Sequence, residues 1–321
     1  MSQNDQEYKT PIYLITGFLE SGKTSLIKDM LKDDGFSAGE RTLIIVCEEG
    51  IEEYEDELIK KSNAVVETVD SFEELTSEKL FGFEETYAPE RIIIEYNSMW
   101  GIENLFKVKK PGAWELAQMV TLIDSTTFDN YMTNMRTLMS EGPKLADLVI
   151  FNRCTEKTEK SRMRRVIKAM NNTVNLLFEN TDGTADDGVS EEDLPYDMKA
   201  DVIEISDEDF GIWYIDCMEH PDRYDGRIVK VKAQAFRMED LPKRSYVAGR
   251  YAMTCCAADV GGIGFICRYL KKRPVENSWV MITAKCNKEY SAIHGREAIV
   301  LVETDVQDAE KPEDELVYFN K

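Results

Sequence analysis

The string Gly17-Phe-Leu-Glu-Ser-Gly22-Lys23-Thr24 fits G-x-x-x-x-G-K-[ST] at every position. It follows an apolar run, Ile12–Ile15, and leads into a helix-period stripe of Leu26, Ile27, Met30 and Leu31. A strand, a glycine-rich turn and a helix in that order commit this part of the chain to an α/β layer architecture. Glycines let the backbone curl so that N–H groups converge on a phosphate. Lys23 sets a cation on the β- and γ-phosphates, and Thr24 offers a hydroxyl to Mg²⁺. The helix N-terminus adds a partial positive charge. Gly17, Glu20, Ser21, Gly22, Lys23, Thr24 and Ser25 are therefore the expected nucleotide contacts. The bland reading of the same string is a glycine-rich turn that binds nothing.

Four further apolar runs follow: Leu43–Val46, Ile92–Ile94, Val120–Ile123 and Leu148–Phe151. Each is continuous, as in strands buried on both faces of a parallel sheet. A second helix-period stripe, Met163, Val166, Ile167 and Met170, lies beyond them. The alternation predicts a P-loop nucleotide-binding domain over residues 1–178 with a mostly parallel sheet. Residues 179–200 open on an acidic stretch, Glu179–Asp193, rich in Gly, Asp, Thr and Ser, and read as a linker. Residues 201–321 change pattern. Val229, Val231, Ala233 and Ala235 alternate with Lys230, Lys232 and Gln234. With the runs Tyr251–Cys256, Gly264–Tyr269, Trp279–Lys285 and Ala298–Glu303 they make about five strands, which predicts a small OB-like β-barrel.

Within the first domain a second acid is expected at a strand end. Arg91-Ile-Ile-Ile-Glu95 fits, and Glu95 would serve Mg²⁺ or the attacking water, so Lys23 and Glu95 are the catalytic candidates. A solvated strand-end charge is the plainer alternative. Asp124, which ends another strand, is a weaker candidate for that acid, the alternative being a cap on the following turn. The acidic run Glu48–Glu57 reads as a solvated helix face or as a switch segment with Glu49 or Asp56 near Mg²⁺.

The formal net charge of −22 opposes general binding to nucleic acid and to an anionic membrane surface. The polar start, Met1–Lys9, does not read as a signal peptide, and no apolar run reaches membrane-spanning length. A cytoplasmic protein without membrane insertion is expected. Seven scattered cysteines, an odd number, do not read as a disulfide framework.

Pro11–Thr24, Ile94-Glu95, Val120–Asp124 and Ala146–Asn152 together resemble the CobW-type GTPases, bacterial proteins linked to metal delivery. The resemblance covers roughly Thr10–Phe178. It implies GTP and Mg²⁺ as cofactors, with Asn152 contacting the base. Three departures stand out. The family's Cys-x-Cys-Cys metal motif is missing from the matching stretch, Asn63–Val69. Its Asn-Lys-x-Asp guanine signature becomes Asn152-Arg153-Cys154-Thr155, and a threonine cannot accept both N–H donors of the guanine edge. The base choice is thus open between GTP and ATP. Its Glu-x-x-Gly becomes Glu95-Tyr-Asn-Ser98, which loses glycine freedom and points to slow hydrolysis.

The string Arg250-Tyr-Ala-Met-Thr-Cys255-Cys256-Ala-Ala-Asp259, with Tyr224–Arg227 and Trp279-Val280, resembles the C-terminal domain of YcgQ-like bacterial proteins. That resemblance implies a membrane permease partner. Cys255, Cys256 and Asp259 read as Zn²⁺ ligands, the alternative being that the cysteines are small buried thiols in a barrel core. Neighbouring strand residues point to opposite faces, so a bulge or turn would be needed to bring both thiols to one ion. Cys267, Cys286, His220 and His294 would complete a site only if the fold gathers them.

These readings converge on an NTPase, with GTP favoured by resemblance, coupled to a permease or a metal-receiving protein. The alternative is a nucleotide-dependent adaptor that binds but barely turns over. A small-molecule kinase would share the P-loop, but no acceptor pocket is recognisable.

Overall fold

The computed structural model describes residues 9–36, 39–48, 50–188, 194–239, 241–253, 260–291 and 294–319. The chain divides into two compact units, one of residues 1–158 with 173–188, the other of residues 159–172 with 189–321.

The first unit alternates as its apolar periodicity requires. β1 (Thr10–Thr16), α1 (Lys23–Lys32), β2 (Thr42–Val46), α2 (Asp56–Lys61), β3 (Ala64–Thr68) and α3 (Ser77–Tyr87) come first. β4 (Arg91–Glu95), α4 (Ile102–Lys107), β5 (Trp114–Asp124), α5 (Phe128–Asn134), α6 (Arg136–Leu145) and β6 (Leu148–Cys154) follow. α7 (Lys160–Met170), which groups with the second unit, connects β6 to β7 (Asn175–Asn180) and β8 (Ala185–Asp186). The eight strands run in the order β3-β2-β4-β1-β5-β6-β7-β8. Every neighbouring pair is parallel except β7–β8.

All five expected strands are present, and β4 is buried along its whole length. β3 was not legible because it is half-exposed and lacks a continuous apolar run. β8 falls inside the stretch expected to be linker, where Phe178 and Glu179 pair with Asp186 and Ala185. β1 is flanked by β4 on one side and β5 on the other, so the order reverses at β1. In a doubly wound sheet, that reversal opens a crevice at the carboxyl end of the strand, where ligands bind. Gly17 begins there.

The second unit contains β9 (Val202–Ile205), α8 (Phe210–Glu219), α9 (Pro221–Tyr224), β10 (Ile228–Phe236) and β11 (Ser245–Met253). β12 (Val260–Arg268), β13 (Trp279–Ser291), β14 (Arg296–Asp308) and β15 (Leu316–Tyr318) complete it. The order β11-β12-β14-β13-β10 closes through an added β10–β11 pairing into a five-stranded barrel. Counted from β10 the ring runs 1-2-3-5-4, and the β12–β14 contact is parallel, so the small OB-like barrel expected from the sequence is formed, with a Greek-key strand order. Period two decides which residues fill it. Val229, Val231, Ala233 and Ala235 are buried, while Lys230, Lys232 and Gln234 point outward. Trp213 of α8 joins the same core, edge-on to Phe265 of β12 at 5.1 Å between ring centroids. Among the described residues no helix is long and apolar enough to cross a membrane.

Candidate nucleotide site

The turn after β1 is built around two left-handed glycines. Gly17 has φ +145° and Gly22 +96°. A Cβ on Gly17 would lie 2.5 Å from the Leu122 carbonyl oxygen, and one on Gly22 would lie 2.8 Å from Asn152 Nδ2. The first position tolerates no side chain, because the obstacle is backbone. Gly22 caps α1 without a side-chain hydrogen bond, and the first turn of α1 carries no acid. The end of this ten-residue helix therefore keeps the amide-rich, partly positive character that suits an anion.

Lys23 is only 3 % exposed. Its ammonium donates to the carbonyls of Gly17 and Phe18, each at 3.0 Å, and to the Glu48 carboxylate. Three donors meet three acceptors, which is what a buried ammonium requires. The Thr24 hydroxyl donates to Glu95 Oε1 at 2.7 Å, and the Tyr54 hydroxyl donates to Glu95 Oε2 at 2.6 Å. Burial first, and then the Glu95 charge, push the Tyr54 phenol well above its ordinary range, so it stays a neutral donor. A cavity of about 570 Å³ beside this group is lined by Thr24, Glu48, Tyr54, Asp56, Asp70 and Glu95.

On the other side of the turn, Asn152 Nδ2 donates to the Ser21 carbonyl at 2.7 Å. Asn152 Oδ1 and Ser21 Oγ, both buried, have no hydrogen-bond partner among the described residues. Arg153, held at φ +54°, donates to the Glu20 carbonyl at 3.0 Å and pairs with Asp124. Burial acts to raise the Asp124 pKa, but the Thr126 hydroxyl and amide and the Arg153 guanidinium outweigh it and hold the carboxyl below its usual range. Asp124 thus caps its turn and also anchors Arg153. The Gly17 N–H donates to Ser98 Oγ at 2.9 Å. Phe18, Ser21, Leu122, Tyr131, Met139 and Pro143 are among the residues lining a second cavity, of about 270 Å³.

The fold thus brings Gly17, Glu20, Ser21, Gly22, Lys23, Thr24, Glu95 and Asn152 to one crevice. Ser25 lies on the outer face of α1, donating to Glu52. The run Glu48–Glu57 is not a helix face, since α2 starts only at Asp56. Its acids serve the first helix instead: Glu48 holds Lys23, and Glu52 and Glu55 hold Lys28. Glu49 lies outside the described residues. Three participants carried no local signal. Tyr54 meets Glu95 across 41 positions of sequence. Ser98 and Arg153 are legible only as departures from a pattern, and their contacts with the turn are not.

In the second unit the expected Zn²⁺ residues Cys255, Cys256 and Asp259 lie outside the described residues. Among the described residues no group of three His, Cys, Asp or Glu side chains has an arrangement that holds a metal. Cys267 and Cys286 are buried free thiols in the barrel core, pushed up to about 12 chiefly by burial.

Residues 11–178, more than half of the chain, match the nucleotide-binding domain of CobW, HypB and UreG. The chain belongs to the CobW/HypB/UreG family. Residues 180–319 match the DUF1980 C-terminal domain. No curated protein matches the chain. Among solved structures, the CobW/HypB/UreG-type chain is similar to hydrogenase maturation factor HypB from Archaeoglobus fulgidus. Identity is 12 %, covering 55 % of this chain and 84 % of that one, with a TM-score of 0.38. The first unit of this CobW/HypB/UreG member is accordingly a P-loop nucleotide-binding domain, and its glycines, uncapped helix and Thr24–Glu95 pair fit a polyphosphate with a divalent cation.

Proposed function

We propose that the protein is a cytoplasmic nucleotide switch that takes GTP with Mg²⁺ at the Gly17–Thr24 turn and hydrolyses it. Its nucleotide state is coupled to a metal-homeostasis or permease-associated partner. The observation that carries this reading is the 2.7 Å hydrogen bond from Thr24 to the buried carboxylate of Glu95, at the mouth of an uncapped helix. Those two groups are the ones that would hold Mg²⁺, which when bound neutralises charge on the β- and γ-phosphates. Lys23 would exchange Glu48 and the loop carbonyls for phosphate oxygens. Asn152 would face the base. Thr155 stands where a guanine reader needs a carboxylate, and so ATP belongs in the same test.

The test is titration of labelled GTP and ATP into the protein at millimolar Mg²⁺. Lys23→Ala is expected to weaken binding about a hundredfold or more, equivalent to ~2.7 kcal/mol. Unchanged affinity in that variant, or no uptake of either nucleotide by the parent, overturns the proposal.

A second reading, the adaptor that binds without turning over, is favoured by one feature. Both Glu95 oxygens are engaged, by Thr24 and Tyr54, and the Ser98 hydroxyl occupies the Gly17 amide. A hydrolase must release some of these contacts. Tight nucleotide binding with no phosphate release, with and without added Zn²⁺, selects the adaptor.

A further inference from the structure

The second unit carries a concentration of positive charge that the chain's overall −22 conceals. The β10–β11 loop contributes Arg237, Lys243 and Arg244, and the β12–β13 loop contributes Lys271, Lys272 and Arg273. The two loops lie side by side. The Tyr269 N–H donates to the Arg244 carbonyl at 3.1 Å, and the Arg244 guanidinium donates to the Leu270 carbonyl. Against six cations the two loops set three acids, Glu239, Asp240 and Glu276. None of the six cations makes an ion pair among the described residues. Other cations of the same unit do: Arg164 with Glu219, Arg268 with Glu289, and Lys288 with Asp222.

The same loops expose aliphatic side chains. Met238 is 49 % exposed, Leu270 51 % and Val275 71 %. A cavity of about 670 Å³ between the loops is lined by Arg237, Arg244, Tyr269 and Arg273, with Glu239 and Glu276 on the same wall.

We propose that this pair of loops is a docking surface for an anionic lipid bilayer. The cations would meet the phosphate and carboxylate headgroups, and the three aliphatic tips would enter the headgroup boundary. Each part has its physical reason. Basic residues are drawn to an anionic leaflet within a Debye length, about 8 Å at physiological salt, so the distant acids of the chain are screened from the contact. Shallow apolar insertion adds to that attraction. A single-stranded nucleic acid is the rival polyanion, but it needs aromatic platforms on which bases stack. The exposed apolar groups here are aliphatic, and the one aromatic ring of the loops, Tyr269, already lies under Arg244 at 5.7 Å. The proposal does not depend on the nucleotide reading.

The experiment is vesicle flotation of the full chain with nucleotide omitted. Phosphatidylcholine vesicles are compared with vesicles containing about one-third phosphatidylserine. The parent is expected to float with the anionic vesicles only. Lys271→Gln/Lys272→Gln/Arg273→Gln and, separately, Met238→Ser/Leu270→Ser/Val275→Ser are each expected to weaken partition at least about tenfold. All six positions are exposed, so unchanged thermal unfolding checks that the variants fold. No flotation of the parent, or flotation of either variant equal to the parent's, overturns the proposal. Binding of an oligo-dT strand in place of anionic vesicles also overturns it and reassigns the surface to nucleic acid.

Discussion

Lys23 and Arg250 are the most deeply buried cations of their units among the described residues, 3 % and 1 % exposed, and they are held in different ways. Lys23 is satisfied by two carbonyls of a turn and by Glu48, which sits on an irregular segment after β2. Those acceptors belong to loops, as Asp207 also does, and beside them Ser21 Oγ and Asn152 Oδ1 have no partner among the described residues. Arg250 sits within strand β11. It donates to the Asp207 carbonyl at 2.7 Å and carboxylate at 2.6 Å, and lies over the rings of Phe210 and Trp279 at 5.3 and 5.1 Å. A charge set in a glycine-rich turn at a helix N-terminus, beside unpartnered polar atoms, is placed to exchange its acceptors for a ligand. A charge fixed between rings and a carboxylate serves the fold. Burial alone does not distinguish the two; the glycine-rich turn around Lys23 and the rings on Arg250 do.

Substitution can break that comparison. The largest expected effect is Arg250→Met, which removes two hydrogen bonds to Asp207 and the contacts with two rings, while Lys232 still pairs with Asp207 at 2.8 Å. The barrel should lose about 3 kcal/mol in urea unfolding, with nucleotide affinity unchanged. A fall in nucleotide affinity with no loss of stability would put Arg250 in the same class as Lys23. Next comes Thr24→Ala. It should remove the advantage that Mg²⁺ gives to nucleotide binding, about tenfold to a hundredfold, or ~1.4–2.7 kcal/mol. Its cost to folding should be about 1 kcal/mol, one hydrogen bond. Titration at zero and millimolar Mg²⁺ reads the first, and thermal unfolding the second. Smaller still is Ser98→Gly, which frees the Gly17 N–H. Phosphate release should rise severalfold, by about 1 kcal/mol of barrier. An unchanged rate would mean that this amide plays no part in turnover.

The sequence carried the first unit further than the second, for a physical reason. Strands buried on both faces, such as β4, write a continuous apolar run, and a P-loop writes fixed glycines and a lysine that only one geometry explains. β3 and β8 were missed because edge pairing demands little of composition: Ala64–Thr68 is half-exposed, and Ala185–Asp186 is only two residues long. The barrel was legible from β10, where period two sorts alanine and valine from lysine. Its strand order was not, because the β10–β11 and β12–β14 pairings depend on register rather than on residue type. At the site, the residues within the motif were legible. Tyr54 and Glu48 were not assigned their contacts, since a hydrogen bond between distant loops leaves no spacing to read.

The smallest prediction concerns the thiols. Cys47 in the first unit and Cys267 and Cys286 in the second share one feature despite their different folds: burial, in each case the largest cause, pushes them up from 9.0 to about 12. The folded protein therefore holds these protons over a range of pH in which the unfolded chain has released them. Their contribution to stability is complete below pH 9 and declines as pH rises through 9 toward 12, because the unfolded state binds fewer protons there. Each thiol should cost about 0.4 kcal/mol at pH 9 relative to pH 7, the linkage free energy of a group half-ionised only when unfolded. Urea midpoints at the two pH values read the sum, and replacing Cys267 and Cys286 together by alanine should flatten the second unit's share of the slope. The same burial should keep all three unlabelled by iodoacetamide at pH 8 in the folded protein, with labelling appearing on unfolding. Rapid labelling of Cys267 or Cys286 in the folded state would show that the barrel opens far more readily than its packing around Trp213 and Phe265 implies. The contrast between a ligand-shaped turn and a locked core would then lose its second half.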